Sequence, residues 1–196
     1  MRMSQTSSIT FIYFPPFFHI KGRDFAKPVA ICVAELEDVY KWGRVTIPKE
    51  LLNQLLPGPV TLCFERLPSL NQRLNPDSSL IGIRIPDHSF IRGVCREIQL
   101  PLALTSANIS NAKSALSIEE FSELYGQLSC IVDGGTLGLD EKSRLGSTVI
   151  DLSHQGSYKV IRPGDVCCGV FKKLVKNILR ERITSSPIAF SFYDNY

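Results

Sequence analysis

Arg23, Arg84, Arg144 and Arg162 stand in four separate islands of Gly- and Pro-containing turn sequence, the clearest chemical signal in the chain. The islands read Lys21-Gly22-Arg23 with Lys27-Pro28, Gly82-Ile83-Arg84-Ile85-Pro86, Arg144-Leu145-Gly146-Ser147-Thr148 and Ile161-Arg162-Pro163-Gly164. A fifth, Thr105-Ser106-Ala107-Asn108, adds hydroxyl and amide groups at the end of an apolar run. A guanidinium offers a planar fork that matches carboxylate or phosphate oxygens in pairs. Gathered together, these groups would hold an anion such as a nucleotide; the plain alternative is five unrelated surface turns. Lys21, Arg23 and Lys27 could neutralise a triphosphate, Ser106, Ser114 and Ser147 could donate hydroxyl hydrogen bonds, and Arg84 could clamp a carboxylate. Such an inventory suits substitution at phosphorus, where positioning and electrostatic stabilisation dominate.

Other chemistries lack their signatures. The chain has no G-x-x-x-x-G-K-[ST] phosphate loop, no G-x-G-x-x-G, no H-E-x-x-H and no G-x-S-x-G. His19, His88 and His154 are scattered and receive no catalytic role. The six cysteines form no C-x-x-C pair, and Cys32, Cys63 and Cys130 lie in apolar runs, where a thiol behaves as a small hydrophobe. A reducing compartment follows as the expectation. With 44% hydrophobic and 21% charged residues the composition is globular, and a net charge of +3 permits a nucleotide or RNA partner without requiring one.

Elements must position these residues. Residues 29–33 read as a buried strand, Leu36, Val39 and Tyr40 mark a short helix, and Pro48 opens a second helix with Leu51, Leu52, Leu55 and Leu56 on one face. Strands are expected over 60–65, 80–85, 102–105, 130–133, 147–151 and 158–161. Asp87 is the expected cap of a helix over 89–98 whose apolar face holds Phe90, Ile91, Val94 and Ile98. Ser117 to Glu120 reads as a capping box opening a further helix to about Tyr125. Interleaved strands and helices imply an α/β fold with a helix-covered sheet. Residues 169–183 form a basic amphipathic pattern, expected as a terminal helix docked on the core. The apolar stretch over 9–18, broken by Pro15-Pro16, is too short to span a bilayer and lacks a signal-peptide cleavage site. The expected location is the cytoplasm, with the mitochondrion as an alternative suggested by the acid-poor, Ser-containing start.

Seven motifs occur in order: Lys21-Gly22-Arg23 with Lys27-Pro28, Pro57-Gly58-Pro59-Val60-Thr61, Gly82 to Pro86, Thr105 to Asn108, Asp133-Gly134-Gly135, Gly146-Ser147-Thr148-Val149 and Arg162-Pro163-Gly164. Over residues 20–164 the chain thereby resembles the YrdC-type threonylcarbamoyl-AMP synthases, particularly the animal ones. The resemblance implies a YrdC-like twisted mixed sheet, covered by helices around a concave basic cavity. It implies conversion of L-threonine, bicarbonate and ATP into threonylcarbamoyl-AMP and pyrophosphate, with Mg²⁺ expected alongside ATP. The product would feed a downstream transfer complex making N6-threonylcarbamoyladenosine at position 37 of tRNAs. By the same resemblance Lys21, Arg23, Lys27, Ser106, Asn108, Ser114 and Arg162 fall to ATP. Arg84, Leu104 and Ser147 fall to threonine, together with Cys32, which stands where many relatives carry a histidine.

The family's proline-threonine-aspartate-threonine and tyrosine-glycine-leucine stretch has no counterpart in residues 1–19. Those residues are expected to form a divergent segment, 20–164 a YrdC-like domain incomplete at its start, and 165–196 a basic helix and tail. ATP binding should then outlast threonine binding. A catalytically impaired isoform that binds double-stranded RNA or tRNA, or acts as a regulatory module, is the second reading.

Overall fold

Short runs of β-branched and aliphatic residues become the strands of one mixed sheet in the computed structural model, which describes residues 9–10, 20, 22, 28–110, 112–138 and 141–164. Lys21, Arg23, Lys27 and the amphipathic pattern over 169–183 lie outside the described residues. The strands are β1 (Ile9–Thr10), β2 (Ala30–Cys32), β3 (Gly43–Arg44), β4 (Val60–Arg66), β5 (Leu80–Arg84), β6 (Leu102–Ser106), β7 (Thr148–Asp151) and β8 (Lys159–Arg162). Their spatial order is β1-β6-β2-β5-β4-β7-β8, with β3 joined to β4. β2 runs parallel to β5 and β4 parallel to β7. The remaining pairs are antiparallel.

Side chains alternate across each strand, so the register sorts them onto two faces. Ile31 is paired with Ile83, Ile83 with Leu62, and Leu62 with Ile150. That face is the core, and each of these four residues is buried in it. Two α helices follow the expected sequence signals. Helix α1 (Leu36–Trp42) starts where the Glu35 backbone N–H donates to Asp38 Oδ2 at 3.0 Å. Helix α2 (Lys49–Leu55) follows Pro48 and buries Leu51, Leu52 and Leu55. Its leucines and Leu56 belong to the same core as the sheet's inner face.

Helix α3 (Ser89–Ile98) covers part of the other face, where Ile91 and Cys95 pack with Cys32 and Ala34. Its inward stripe differs from the expected one. Phe90 and Ile98 remain 47% and 41% exposed, because the i, i+4 pair Ile91 and Cys95 takes the seat on the sheet. Asp87 does not cap this helix; His88 occupies the N-cap and makes no side-chain capping bond. Nor does Ser117 cap the next segment, a 3₁₀ stretch over Glu119–Gln127 that begins after Ile118 without a side-chain cap. Glu120 is drawn instead to Arg144.

The strand expected over residues 130–133 is absent: that stretch is exposed and unassigned to any sheet. Apolar pattern supplies a strand's faces but not a neighbour to pair with, and Val132 stays 45% exposed. No helix among the described residues is long and apolar enough to cross a membrane.

Candidate functional site

The face opposite the core gathers the candidate residues, and the register does the gathering. Cys32 pairs with Arg84 on one side and with Leu102 on the other, while Ala30 pairs with Leu104. In-register partners project to the same side, so Cys32, Arg84, Leu104 and, two residues on, Ser106 share this face. Gly82 pairs with Cys63, which continues the face into β4. Thr61 pairs with Val149, and Val149 with Arg162. Arg84 and Arg162 thus reach one side of the sheet from strands far apart in sequence.

Contacts then draw the turn before β7 into the same place. Ser147 and Thr61 are both buried, and their hydroxyl oxygens lie 2.8 Å apart. Arg162 Nη2 donates to the Ser147 carbonyl at 3.0 Å, and the Gly164 backbone N–H donates to Thr148 Oγ1 at 3.1 Å. Gly146 has φ +68°, the left-handed region that favours glycine. Gly164 lies so tight against the backbone of Gly146, Ser147 and Thr148 that a Cβ there would strike it. The two Gly motifs read from the sequence are therefore two sides of one joint, and that joint sets the direction of Ser147 and Arg162.

Electrostatics define what this face favours. Arg84 is only 5% exposed. Burial, the largest influence, pulls its pKa down; Cys32 opposes that shift and the Arg162 charge adds to it. Arginine remains charged regardless, so a second cation on the same face as a buried one raises the local demand for an anion. Partial burial also lowers the pKa of Arg162. Two forked cations, a fixed hydroxyl and a polar strand end suit a ligand bearing carboxylate or phosphate.

The other candidates divide. Ser106 ends β6, where Ile9 of β1 pairs with it. Leu104 is half-buried in the same strand. Asn108 is buried, and its side-chain nitrogen donates to the carbonyls of Ile109 and Ala112 at 2.8 and 2.7 Å, so it shapes the loop after β6. Ser114 offers its carbonyl to Arg144 Nη1 at 2.7 Å. Arg144 also binds both Glu120 oxygens, at 2.5 and 3.1 Å, and approaches Glu141 at 3.3 Å. The Glu120 hydrogen bond is the largest influence raising Arg144's pKa. Its charge is spent on joining the segments of Ser114, Glu120 and Glu141, which removes it from the set of anion-seeking arginines.

Sequence reasoning passed over three residues. Thr61 orients Ser147, and its signals were its place in the Pro57-Gly58-Pro59-Val60-Thr61 motif and a hydroxyl at the start of an apolar run. Thr148 receives Gly164. Asn75 is buried with φ 51° and acts as a strand neighbour for Val29, accepting from its N–H at 2.8 Å and donating to its carbonyl at 2.9 Å. Arg66 Nη1 in turn holds the Leu74 and Asn75 carbonyls at 2.7 and 3.0 Å. This anchor fixes the chain where it enters β2 from the basic motif. Among the described residues no three His, Cys, Asp or Glu side chains cluster as a metal site.

Comparison with known proteins places this arrangement. The Sua5/YciO/YrdC family model, described as "Telomere recombination", matches residues 16–164. Human threonylcarbamoyl-AMP synthase is 51% identical over 149 residues, covering 75% of this chain and 53% of that protein. The chain therefore spans about half the length of the curated relatives it matches. The crystal structure of P. abyssi Sua5 complexed with L-threonine superposes with a TM-score of 0.71 at 30% identity, covering 83% of this chain and 47% of that one. E. coli YciO shares the fold, with a TM-score of 0.58 at 21% identity over 75% of this chain and 70% of that one. Motif order, sheet topology and the extent of these matches agree: the chain belongs to the Sua5/YciO/YrdC family.

Proposed function

We propose that the chain acts as an L-threonylcarbamoyladenylate synthase, joining L-threonine, bicarbonate and ATP into threonylcarbamoyl-AMP with release of pyrophosphate. The observation that carries this reading is the convergence of buried Arg84 with Ser147 and Arg162 on one sheet face, in a chain 51% identical to the human synthase. Arg84 and Ser147, with Cys32 and the Leu104 backbone beside them, receive threonine. Arg162 and the Ser106, Asn108 and Ser114 loop receive ATP, together with Lys21, Arg23 and Lys27.

The chemistry asks little covalent work of the protein. The threonine amine and bicarbonate give a carbamate with loss of water, and a carbamate oxygen attacks the α-phosphorus as pyrophosphate leaves. Side chains hold the two substrates together and stabilise charge in the transition state, a well-placed donor contributing about 3–4 kcal/mol. Mg²⁺ would accompany the triphosphate, an ion that commonly keeps its waters and binds chiefly through phosphates. The described residues supply no carboxylate cluster for it, so no step is assigned to the ion. The product is suited to a downstream enzyme that transfers threonylcarbamoyl to tRNA adenosine. Pyrophosphate release from ATP is expected to require both threonine and bicarbonate; equal release without threonine would refute the assignment.

A further inference from the structure

Cys32 and Cys95 are buried side by side where α3 covers the candidate site's face of the sheet, their sulfurs 3.8 Å apart. Cys95 also lies 3.6 Å from the Cys32 carbonyl, so strand β2 and helix α3 meet through this pair. The two thiols differ in access. Cys32 is fully enclosed, whereas Cys95 lines a cleft of about 240 Å³ between α1 and α3, with Trp42, Lys41, Arg96 and Leu100 around it. Cys32 pairs in register with Arg84 across β2 and β5. A change at Cys95 therefore has a one-residue path to the carboxylate-binding arginine.

We propose that Cys95 and Cys32 are a redox-active dithiol, oxidised by a hydroperoxide entering through the α1–α3 cleft to an intramolecular disulfide that weakens carboxylate binding at Arg84. The regulatory half rests on the threonine site proposed above; the disulfide itself does not. Cys95 lines the cleft and so is the thiol that a peroxide reaches first. The hydrogen bond with Cys95, followed by burial, pushes the Cys32 thiol up, so Cys32 stays a thiol until Cys95 has been oxidised.

The steps balance. Cys95 thiolate attacks one peroxide oxygen, the O–O bond breaks, and hydroxide leaves to be protonated as water. The resulting Cys95 sulfenic acid is attacked by the Cys32 sulfur, which loses its proton; the S–S bond forms and a second water leaves. Two electrons pass from the dithiol to the peroxide. The sulfurs must close from 3.8 Å to a bond of about 2.05 Å, drawing the Cys32 side chain onto α3 and changing the packing at Arg84.

The test treats the full chain with hydrogen peroxide, alkylates it under denaturing conditions and maps the cysteine peptides by mass. The expected result is a Cys32–Cys95 linked peptide, a loss of two alkylation sites and full reversal by dithiothreitol. Threonine affinity of the same oxidised sample, measured by calorimetry, should fall about tenfold or more, as for loss of a charge-assisted contact. Cys95→Ser should abolish both effects, and the peptide map of the unmodified sequence stands if that variant does not fold. Absence of the linked peptide overturns the dithiol, and a linked protein with unchanged threonine affinity overturns its coupling to Arg84. If the reduced chain binds no threonine, the function proposed above fails, while the peptide map still decides the disulfide.

Discussion

Arginine carries three meanings in this chain, and only the surroundings separate them. Arg84 is buried on the same sheet face as a second arginine, Arg162 leans on the Ser147 carbonyl, and Arg144 is absorbed by Glu120 and Glu141. Replacing Arg84 with alanine should weaken threonine by about 1.5–3 kcal/mol, the worth of a charge-assisted hydrogen bond, while leaving ATP nearly unchanged. Arg162→Ala should weaken ATP more than threonine. Calorimetric titration of each variant with each ligand checks both, and equal losses would merge the two half-sites. Thr61→Val should lower threonine affinity by about 1 kcal/mol through a disoriented Ser147, and Thr61→Ser should restore it. Arg144→Ala should instead lower the melting temperature with no change in ligand preference. Its hydrogen bond to Glu120 is the main lowering influence on that carboxylate's pKa. The resulting stabilisation is complete above the ordinary Glu value of about 4.3 and is lost as pH falls through the lower folded-state value. Melting temperatures from pH 7 down to pH 3 should therefore fall less steeply for Arg144→Ala than for the unmodified chain.

At the scale of elements, most of the fold was legible because its periodicities are strong. The Leu51, Leu52, Leu55 and Leu56 face predicted α2, and apolar β-branched runs predicted β2, β4, β5, β6 and β7 to within a residue or two. Sequence failed where the deciding partner is distant. Residues 130–133 have a strand's composition but no strand neighbour among the described residues, and Glu120 has a capping-box position but a better partner in Arg144. The convergence of Arg84 and Arg162 was implied by family resemblance; its physical cause, register across β5, β4, β7 and β8, is not written in local pattern. Two substitutions test the elements. Gly164→Ala would press a methyl group into the Gly146–Thr148 backbone and should cost about 1–3 kcal/mol of stability, displacing Ser147 as it does so. Leu52→Ala, in the fully buried face of α2, should cost about 2–5 kcal/mol by denaturant unfolding.

For the whole molecule, the sheet is the device that makes a site from scattered turns. One face is closed by the core against α2, and the other is left to α3 at one end and to polar residues along β5, β7 and β8. In the function proposed above, this second face holds threonine and ATP together so that a carbamate can meet the α-phosphorus. Incubating the full chain with ¹³C-bicarbonate, L-threonine and ATP, then weighing the nucleotide product, tests it most directly. The expected product is threonylcarbamoyl-AMP with the label in its carbamoyl carbon, formed by the unmodified chain and lost in both Arg84→Ala and Arg162→Ala. An unlabelled adenylate, or labelled product made equally well by both variants, would contradict it.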